Sequence, residues 1–569
     1  MSKERKPWLA LEEYRGKNFN GEWPTLPELF RITVSKFGQR ACFSVYEPNR
    51  ISLNYNESLK RIKAVARWLH SKGIRKDDKI AVTGKNSPEW AIAYLGVLFA
   101  GAIVVPIDYQ IKNEETDLLI KTAGTKILFV DEEKHAYYSQ KTGNLMEIIS
   151  LKRGIGLYIY DIDGIEENIE EASENDIAAI LFTSGTTGIP KGVMLTHQNL
   201  VSDCLLAQGN LDVLHTDIFY AILPIHHAYC MLAVFIEAIS TGAEILFGKK
   251  MVTTVMLKEL KEGKVTMLLG VPLLFNKLLA GILRGIKAKG KIIYGILYSL
   301  MTISGLIKKV TGINPGKKLF HSVLDKASLA TIRVCIAGGG PLAPSVFRKF
   351  NQLGIDFIQG YGLTETSPII NLNPIEHYKE TSVGKKVPGT DMKILDPDER
   401  GIGEVIVKGP MVMKGYYNMP KETAEAFTAD GYFKTGDKGY LDNEDYLYLT
   451  GRAKNMIVTE GGKNVYPEEI ENEFQLFDEI DQILIRGFIV DQKMKIEGIE
   501  ALIYPNPELK NEAGLPYPER EIKARIDRII SEVNQRLLPY QKITRSTILK
   551  EQMEMTTTKK IKRDLVQEN

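Results

Sequence analysis

The chain has 569 residues, more than one hydrophobic core accommodates, so we expect at least two domains. Its 44% hydrophobic and 25% charged residues are typical of globular proteins. The 73 Lys and Arg residues nearly balance the 71 Asp and Glu residues, so the net charge of +2 indicates no nucleic-acid partner. Four scattered cysteines without metal-ligand spacing favour a reducing, cytoplasmic compartment.

Helix and strand signals alternate along the first half of the chain. Predicted strands lie at 79–83, 103–107, 127–131, 177–182, 218–223, 244–247 and 266–269. Predicted helices begin near residue 26 and continue at 55–72, 88–100, 229–240 and 252–262. This alternation predicts mostly parallel sheets that helices cover on both faces, which is the α/β class.

A loop rich in glycine and hydroxyl side chains follows the strand predicted at 177–182. Glycines let backbone N–H groups approach an anion, hydroxyls add donors and Lys191 adds a positive charge, so the loop is suited to phosphate. It is not a Walker A loop, because Gly192 follows the lysine where Ser or Thr is required. A flexible polar surface loop is the alternative. The candidate phosphate-binding residues are Thr183, Ser184, Gly185, Thr186, Thr187, Gly188 and Lys191.

The segment 263–324 contains no Asp or Glu. Basic residues flank its uncharged stretch 292–307, which as a helix would reach about 24 Å, short of the ~30 Å core of a bilayer. The segment therefore suits a position in the membrane interface, with lysines toward anionic headgroups, and we expect membrane contact through 284–318. A buried helical hairpin with a basic, solvated face is the alternative.

Two more predicted strands, 332–337 and 355–359, end in glycine-rich loops. In a parallel sheet, ligands bind beyond the carboxyl ends of the strands, so we expect the three glycine loops to end strands of one sheet and form one shared site. Tyr361 offers a flat face for a base, and Glu365 offers an oxygen ligand for Mg²⁺. A core aromatic and a helix N-terminal carboxylate are the alternatives. The candidate residues here are Gly338, Gly339, Gly340, Gly360, Tyr361, Gly362, Thr364 and Glu365.

From residue 403 the pattern changes to short strands and turns. Asp437 lies in a glycine turn, where its two oxygens suit a ribose diol or an Asx turn. Beyond 452, helix and strand signals indicate a compact α+β block of about 115 residues, a usual domain size. We therefore predict an N-terminal domain at 1–452, with the basic insertion at about 281–324, and a C-terminal domain at 453–569.

With these motifs in this order, the chain resembles an acyl-CoA synthetase of the adenylate-forming superfamily, over 30–565. The most specific motifs lie at 183–192, 360–365, 435–437 and 451–452. The resemblance implies a large N-terminal domain of two α/β subdomains plus a small β-barrel, and a smaller, mobile α+β C-terminal domain. It also implies ATP, Mg²⁺ and coenzyme A: a carboxylate attacks the α-phosphorus of ATP, and a thiol then displaces AMP.

The resemblance also assigns roles around the phosphates. The loop that ends at Lys191 would hold the β,γ-phosphates, Thr364 would contact the α-phosphate, and Glu365 with Thr183 would bind Mg²⁺. Lys191 and Glu365 would act in catalysis.

The resemblance also assigns residues to the adenine and to the ribose of ATP. The glycines 338–340 and Tyr361 would enclose the adenine, and Asp437 with Arg452 would hold the ribose hydroxyls.

The acyl carboxylate would lie by His227, and Lys560 would bridge this carboxylate and the α-phosphate. Lys559 directly precedes Lys560, so either lysine could act.

The C-terminal domain would swing about Lys454 between the two half-reactions, after which Gly461 and Gly462 would line the path of the thiol. The form of the Lys560 motif and the basic insertion are similar to those of long-chain fatty acyl-CoA synthetases. This likeness implies a long-chain fatty acid as substrate, and coenzyme A or an acyl carrier protein as acceptor. A non-catalytic ATP-binding protein at a membrane surface is the alternative of a different class.

Overall fold

The computed structural model describes residues 5–46, 49–141, 145, 147–165, 170–183, 190–249, 252–459, 463–491, 496–509, 516–556, 560–563 and 566. In this part of the chain, a first sheet has seven strands, in the order Gly415–Tyr416, Lys191–Thr196, Ile177–Thr183, Ile103–Ile107, Lys79–Thr83, Ile127–Val130 and Glu147–Ser150. The last five pair in parallel, and the first two add antiparallel neighbours at one edge.

A second sheet has nine strands within the described residues. Their order is Lys385–Lys386, Ile369–Leu372, Asp356–Gly362, Val334–Ala337, Met267–Gly270, Ile218–Ala221, Glu244–Phe247, Ala41–Tyr46 and Arg50–Asn54. The six strands from Asp356–Gly362 to Ala41–Tyr46 are parallel, with antiparallel strands at both edges. The predicted α/β class with mostly parallel sheets is therefore confirmed.

Helices connect and cover these sheets. They are Leu26–Phe37, Tyr55–Ser71, Pro88–Phe99, Asn113–Ala123, Glu132–Ser139, His197–Ala207, Ala228–Cys230, Glu237–Thr241, Thr253–Glu262, Pro272–Lys287, Lys291–Thr311, Gly316–Leu319, His321–Lys326, Pro344–Gln352 and Pro420–Ala426. A π-helical segment, Met231–Ile236, joins two of them, and short 3₁₀ turns lie at Pro7–Leu11 and Thr364–Thr366. Local sequence sets several starts: Thr25 and Asn54 each form a capping box with the glutamate three residues later.

The expectation that the three glycine loops end strands of one sheet is wrong. Strand Ile177–Thr183 belongs to the first sheet, whereas Val334–Ala337 and Asp356–Gly362 belong to the second. The repeated strand-then-glycine pattern does not reveal which strands hydrogen-bond to each other. The two sheets nevertheless make contact near these loops, because Tyr416 of the first sheet donates a hydrogen bond to Glu365, just beyond the second.

An antiparallel sheet of four described strands follows, with Asp391–Leu395, Gly403–Lys408, Phe433–Leu441 and Leu447–Arg452 in that order. Beyond Arg452, a separate hydrophobic cluster begins at Ile457. Its strands are Ile457–Val458, Asn464–Val465, Ile480–Asp491, Ile496–Pro505 and Arg545–Ile548. Its α-helices are Pro467–Asn472 and Glu519–Arg536, and 3₁₀ turns lie at Ala453–Asn455 and Pro539–Gln541.

The helix Lys291–Thr311, which we call the surface helix, is longer than the sequence predicts. It has 21 residues, which corresponds to about 32 Å and is enough to cross a bilayer by length and composition. The length prediction is wrong because the helix continues through Lys308 and Lys309, whereas the sequence pattern places its end before them. One face of the surface helix nevertheless packs on the domain, where Met301, Ser304 and Lys308 are buried.

The C-terminal unit is stabilised by a buried carboxylate with several donors. The side chain of Glu500 is 2% exposed and accepts hydrogen bonds from Arg486, Arg545 and Thr547 at 2.7–3.0 Å. Burial raises the pKa of Glu500, but these donors outweigh it and lower the pKa to about 2. The ionised form therefore stabilises the fold above pH ~4.5, and this contribution is lost as the pH falls toward 2.

We predict that Glu500→Gln destabilises the C-terminal unit by about 2–3 kcal/mol, because two arginines lose their buried partner. Hydrogen–deuterium exchange of the amides of Ile496–Pro505 measures the effect at neutral pH. The matched control is Glu532→Gln, which removes an exposed ion pair with Arg536 and should change stability by less than about 0.5 kcal/mol. Equal effects of the two variants would contradict the prediction.

Candidate active site

The first part of the site is the hairpin that carries the glycine-rich loop. Thr183 and Lys191 pair across antiparallel strands at the two ends of this loop. The Lys191 ammonium lies 4.9 Å from the centre of the Tyr416 ring. The predicted cradle residues Ser184, Gly185, Thr186, Thr187 and Gly188 lie outside the described residues.

Glu365, just beyond a strand of the second sheet, contacts the same tyrosine, Tyr416. It lies in the turn Thr364–Thr366 and accepts a hydrogen bond from the Tyr416 hydroxyl at 3.0 Å, while its backbone carbonyl accepts from Met413 N–H at 2.8 Å. Lys191 and Glu365 therefore contact opposite parts of one side chain. A cation and a carboxylate beside one tyrosine suit a nucleotide phosphate with its metal ion.

The donor chemistry at this position fits Mg²⁺. Beside nucleotide phosphates, Mg²⁺ is usually held by one or two carboxylates, with phosphate oxygens and water as the other ligands. Glu365 supplies a carboxylate, and Thr183 supplies a hydroxyl at the end of the neighbouring sheet. In the described part of the chain, no cluster of three or more His, Cys, Asp or Glu residues forms a metal site of its own.

Two glycines of the predicted adenine pocket are required by close contacts. A Cβ at Gly338 would lie 2.8 Å from the Tyr229 ring, and one at Gly362 would lie 1.5 Å from the Pro368 carbonyl oxygen. Gly339 has φ +80°, a conformation that favours glycine. Tyr229 is fixed by its hydroxyl, which donates to the Ile336 carbonyl at 2.9 Å.

The predicted adenosine and ribose residues form one hydrogen-bonded cluster. The Tyr361 hydroxyl donates to Asp437 Oδ2 at 2.6 Å, and Arg452 Nε lies 2.8 Å from Asp437 Oδ1. Asp437 and Arg452 are direct partners across the antiparallel strands Phe433–Leu441 and Leu447–Arg452, which explains why they meet. Burial raises the pKa of Asp437, against the opposing effects of Arg452 and Tyr361.

Lys560 reaches this cluster from the C-terminal unit. Burial and the Arg452 guanidinium lower the pKa of Lys560, against the effect of Asp437, although the side chain retains access to solvent. Burial, His226 and Lys560 together lower the pKa of His227 to about 3, so His227 is neutral at physiological pH. The charge of Lys560 therefore acts on both the predicted carboxylate site and the predicted ribose site. Lys559 lies outside the described residues.

The chain around Lys560 is held on both sides. The backbone carbonyl of Lys560 accepts from Thr556 N–H at 2.7 Å, and Lys560 N–H donates to the Thr556 hydroxyl at 3.1 Å. Ile561 packs on Leu484 and Leu502, and Arg563 donates to the Ile485 carbonyl at 3.0 Å. These contacts fix the segment that carries the lysine.

A second contact links the C-terminal unit to the loop 338–343, which carries the glycines predicted to enclose the adenine and which we call the adenine loop. The Gln475 side chain donates to the Pro341 carbonyl at 3.0 Å and accepts from Ala343 N–H at 2.8 Å. The Gln475 amide thus donates one hydrogen bond to the backbone directly after Gly338–Gly340 and accepts another from it, as a backbone peptide group does in a β-sheet. The predicted hinge, Lys454, lies in the short turn Ala453–Asn455 between the two units, and Gly461 and Gly462 lie outside the described residues.

Sequence reasoning did not identify three residues of the site: Tyr229, Tyr416 and Gln475. Tyr416 follows a glycine in a Lys-Gly-Tyr-Tyr stretch, a pattern too common to suggest a role. Tyr229 closely follows His227, and this proximity was the one available signal. Gln475 carries no sequence signal, because its role depends on how two units of the fold meet.

The sequence is similar to those of several known ligases. The long-chain-fatty-acid–CoA ligase of Bacillus subtilis strain 168 is 29% identical over 553 residues, covering 88% of this chain and 89% of the relative. A chloroplastic long-chain-fatty-acid–acyl-carrier-protein ligase of Arabidopsis thaliana is 27% identical, covering 89% and 80%. A feruloyl-CoA synthase of Amycolatopsis is 26% identical, covering 77% and 80%.

Solved structures share the fold. The ATP-bound MatB of Rhodopseudomonas palustris superposes with a TM-score of 0.73 at 23% identity, covering 96% of this chain and 99% of that one. The anthranilate CoA ligase AuaEII with anthranoyl-AMP gives 0.77 at 19% identity, covering 96% and 97%. Residues 30–417, more than half of the chain, match the AMP-binding enzymes. The chain therefore belongs to the AMP-binding enzyme family and is a relative of the AMP-forming acyl-CoA ligases.

Proposed function

We propose that this protein is an AMP-forming ligase that activates a long-chain fatty acid and transfers it to coenzyme A. In the proposed reaction, the carboxylate attacks the α-phosphorus of ATP, pyrophosphate leaves, and the thiol of coenzyme A then displaces AMP. The observation that carries the proposal is the hydrogen-bonded cluster of Tyr361, Asp437 and Arg452, with the charge of Lys560 acting on both Asp437 and His227.

The residues act mainly by positioning and neutralising charge, as in other phosphoryl-group chemistry. Lys560 neutralises the negative charge that the attacking carboxylate and the α-phosphate bring together, and Thr364 contacts that phosphate. Neutral His227 lies by the acyl carboxylate without adding a competing charge. Asp437 and Arg452 hold the ribose, and Tyr361 stacks on the adenine.

At the phosphate end, Lys191 neutralises the departing pyrophosphate together with the loop 183–190. Glu365 and Thr183 would hold Mg²⁺, which when bound supplies further positive charge to the phosphates. The Tyr416 hydroxyl orients the Glu365 carboxylate for this task.

The names of the relatives support the substrate class. Two relatives with long-chain fatty acid specificity in their names each cover more than four fifths of this chain, while the feruloyl-CoA synthase shows that other acids occur among the relatives. Transfer to an acyl carrier protein is the second candidate, because one of these relatives is a ligase of that type.

We predict AMP release by the purified protein with ATP, Mg²⁺, coenzyme A and fatty acids, with the highest kcat/KM for long chains. The measurement compares acids from acetate to a twenty-carbon chain, with coenzyme A and separately with acyl carrier protein. Turnover with acyl carrier protein but not with coenzyme A would favour the second candidate, an acyl-carrier-protein ligase. A maximum with short or aromatic acids would contradict the proposed substrate.

We predict that Lys560→Ala lowers the rate of acyl-adenylate formation about 10²- to 10³-fold, because one positive charge is lost from the transition state. Thioester formation from supplied acyl-adenylate should change less than about threefold, since Lys560 leaves the site after the proposed swing. Single-turnover pyrophosphate release and thioester formation measure the two steps. The matched control is Lys562→Ala, whose exposed lysine pairs with Glu554. Equal loss of both steps would refute the assigned role.

We predict that Gln475→Ala lowers acyl-adenylate formation about tenfold. Its two hydrogen bonds stabilise the contact with the adenine loop by about 1 kcal/mol each, and their loss lowers the population of this arrangement. The thioester step should be unaffected or faster. Separate measurement of the two steps checks this, and a variant with unchanged adenylation would show that Gln475 does not hold the arrangement.

A further inference from the structure

The outer face of the surface helix exposes a continuous apolar stripe. Ile292, Ile296, Ile303, Leu306 and Val310 are 80%, 55%, 53%, 62% and 75% exposed. Their spacings of four, seven, three and four residues place them on one side of an α-helix. Isolated exposed apolar residues are common, but a stripe of this length on one helix indicates an interaction surface.

The opposite face fixes how this stripe is presented. Lys308 is buried and its ammonium donates to Asn351 and Asp356, both at 2.6 Å. Met301 and Ser304 lie on the same inner face. The second half of the surface helix is therefore anchored to the domain, and the stripe faces away from it.

The charges around the stripe indicate which kind of partner it binds. Six exposed cations flank it, namely Arg284, Lys287, Lys289 and Lys291 at one end, and Lys309 and Lys318 at the other. None of the six forms an ion pair with a residue in the described part of the chain, and the segment 263–324 contains no carboxylate side chain. Packing against a second copy of this face would bring cations against cations, which disfavours that arrangement.

We propose that the surface helix docks this protein on an anionic lipid bilayer, lying parallel to the membrane with its apolar stripe below the headgroups. An apolar stripe between two groups of cations is the pattern of helices that bind in the membrane interface. The inference goes beyond the proposed ligase activity, and docking itself requires neither ATP nor a fatty acid. If the protein is cytoplasmic, the surface would act on the inner face of the membrane.

The test is co-sedimentation of the full-length protein with vesicles, without nucleotide, fatty acid or coenzyme A. Vesicles of phosphatidylcholine alone are compared with vesicles of equal parts phosphatidylcholine and phosphatidylglycerol. We expect binding to the anionic vesicles that weakens as salt is raised, because the attraction by each cation corresponds to about a fivefold change in affinity and is screened by salt.

Two triple variants separate the contributions of the stripe and the charges. The stripe variant should bind at least about tenfold more weakly at every salt concentration; it combines Ile296→Ser, Ile303→Ser and Leu306→Ser. The charge variant should bind about 10- to 100-fold more weakly at low salt, and much less so at high salt; it combines Lys287→Gln, Lys289→Gln and Lys291→Gln.

Matched controls have the same chemistry elsewhere on the surface. Leu9→Ser with Ile51→Ser and Leu118→Ser changes three apolar residues that are 55%, 58% and 51% exposed. Lys258→Gln with Lys421→Gln and Lys523→Gln removes three exposed cations. Both controls should bind as the unaltered protein does, and circular dichroism melts verify that all variants fold.

Unchanged vesicle binding by the stripe variant would overturn the proposal. A dimer in solution that the stripe variant converts to a monomer would assign the stripe to a second copy and overturn it as well. Because no substrate is present, the result is independent of whether the proposed ligase activity is correct.

Discussion

The cleft depends on one buried carboxylate, Asp437, which brings three distant parts of the chain to one point. It accepts a hydrogen bond from Tyr361 of the second sheet, pairs with Arg452 of the antiparallel sheet, and interacts with Lys560 of the C-terminal unit. The carboxylates of Glu365 and Glu468 also act on Arg452, so the cations of this cluster lie among opposite charges. Without Asp437, Arg452 and Lys560 would repel each other, and the contact between the units would weaken.

The link that Gln475 makes between the units is specific in geometry but modest in strength. Gln475 makes two neutral hydrogen bonds to the adenine loop, and each contributes about 1 kcal/mol. Lys560, by contrast, is held firmly within its own unit through Ile561 and Arg563. This combination positions the lysine accurately when the units are in contact, while leaving the contact itself easy to break. A ligase that alternates between two half-reactions requires both properties.

Local patterns in the sequence predicted most elements of the fold and most residues of the candidate site. Glycine loops, charge runs and helical spacing are local features, and they placed Lys191, Glu365 and Asp437 among the candidates, whereas Lys560 became a candidate only through the family resemblance. The sequence did not predict that the loops come from two sheets, because pairing between strands is a long-range property. The same reason explains why Tyr416 and Gln475 were missed: each acts through a partner more than 50 residues away.

Lys308 shows how a residue can be misread from the local pattern and still prove informative. In the sequence, it ends an uncharged stretch and suggests a solvated helix end, but in the structure it is buried and bound to Asp356. Asp356 begins the strand Asp356–Gly362, which carries Tyr361 toward its other end. Seven residues of strand span about 20 Å, so the anchor of the surface helix and the predicted adenine pocket are joined by one short, rigid element. Any surface that the helix contacts is thereby held at a fixed distance from the candidate active site, an arrangement that suits the proposed amphiphilic substrate.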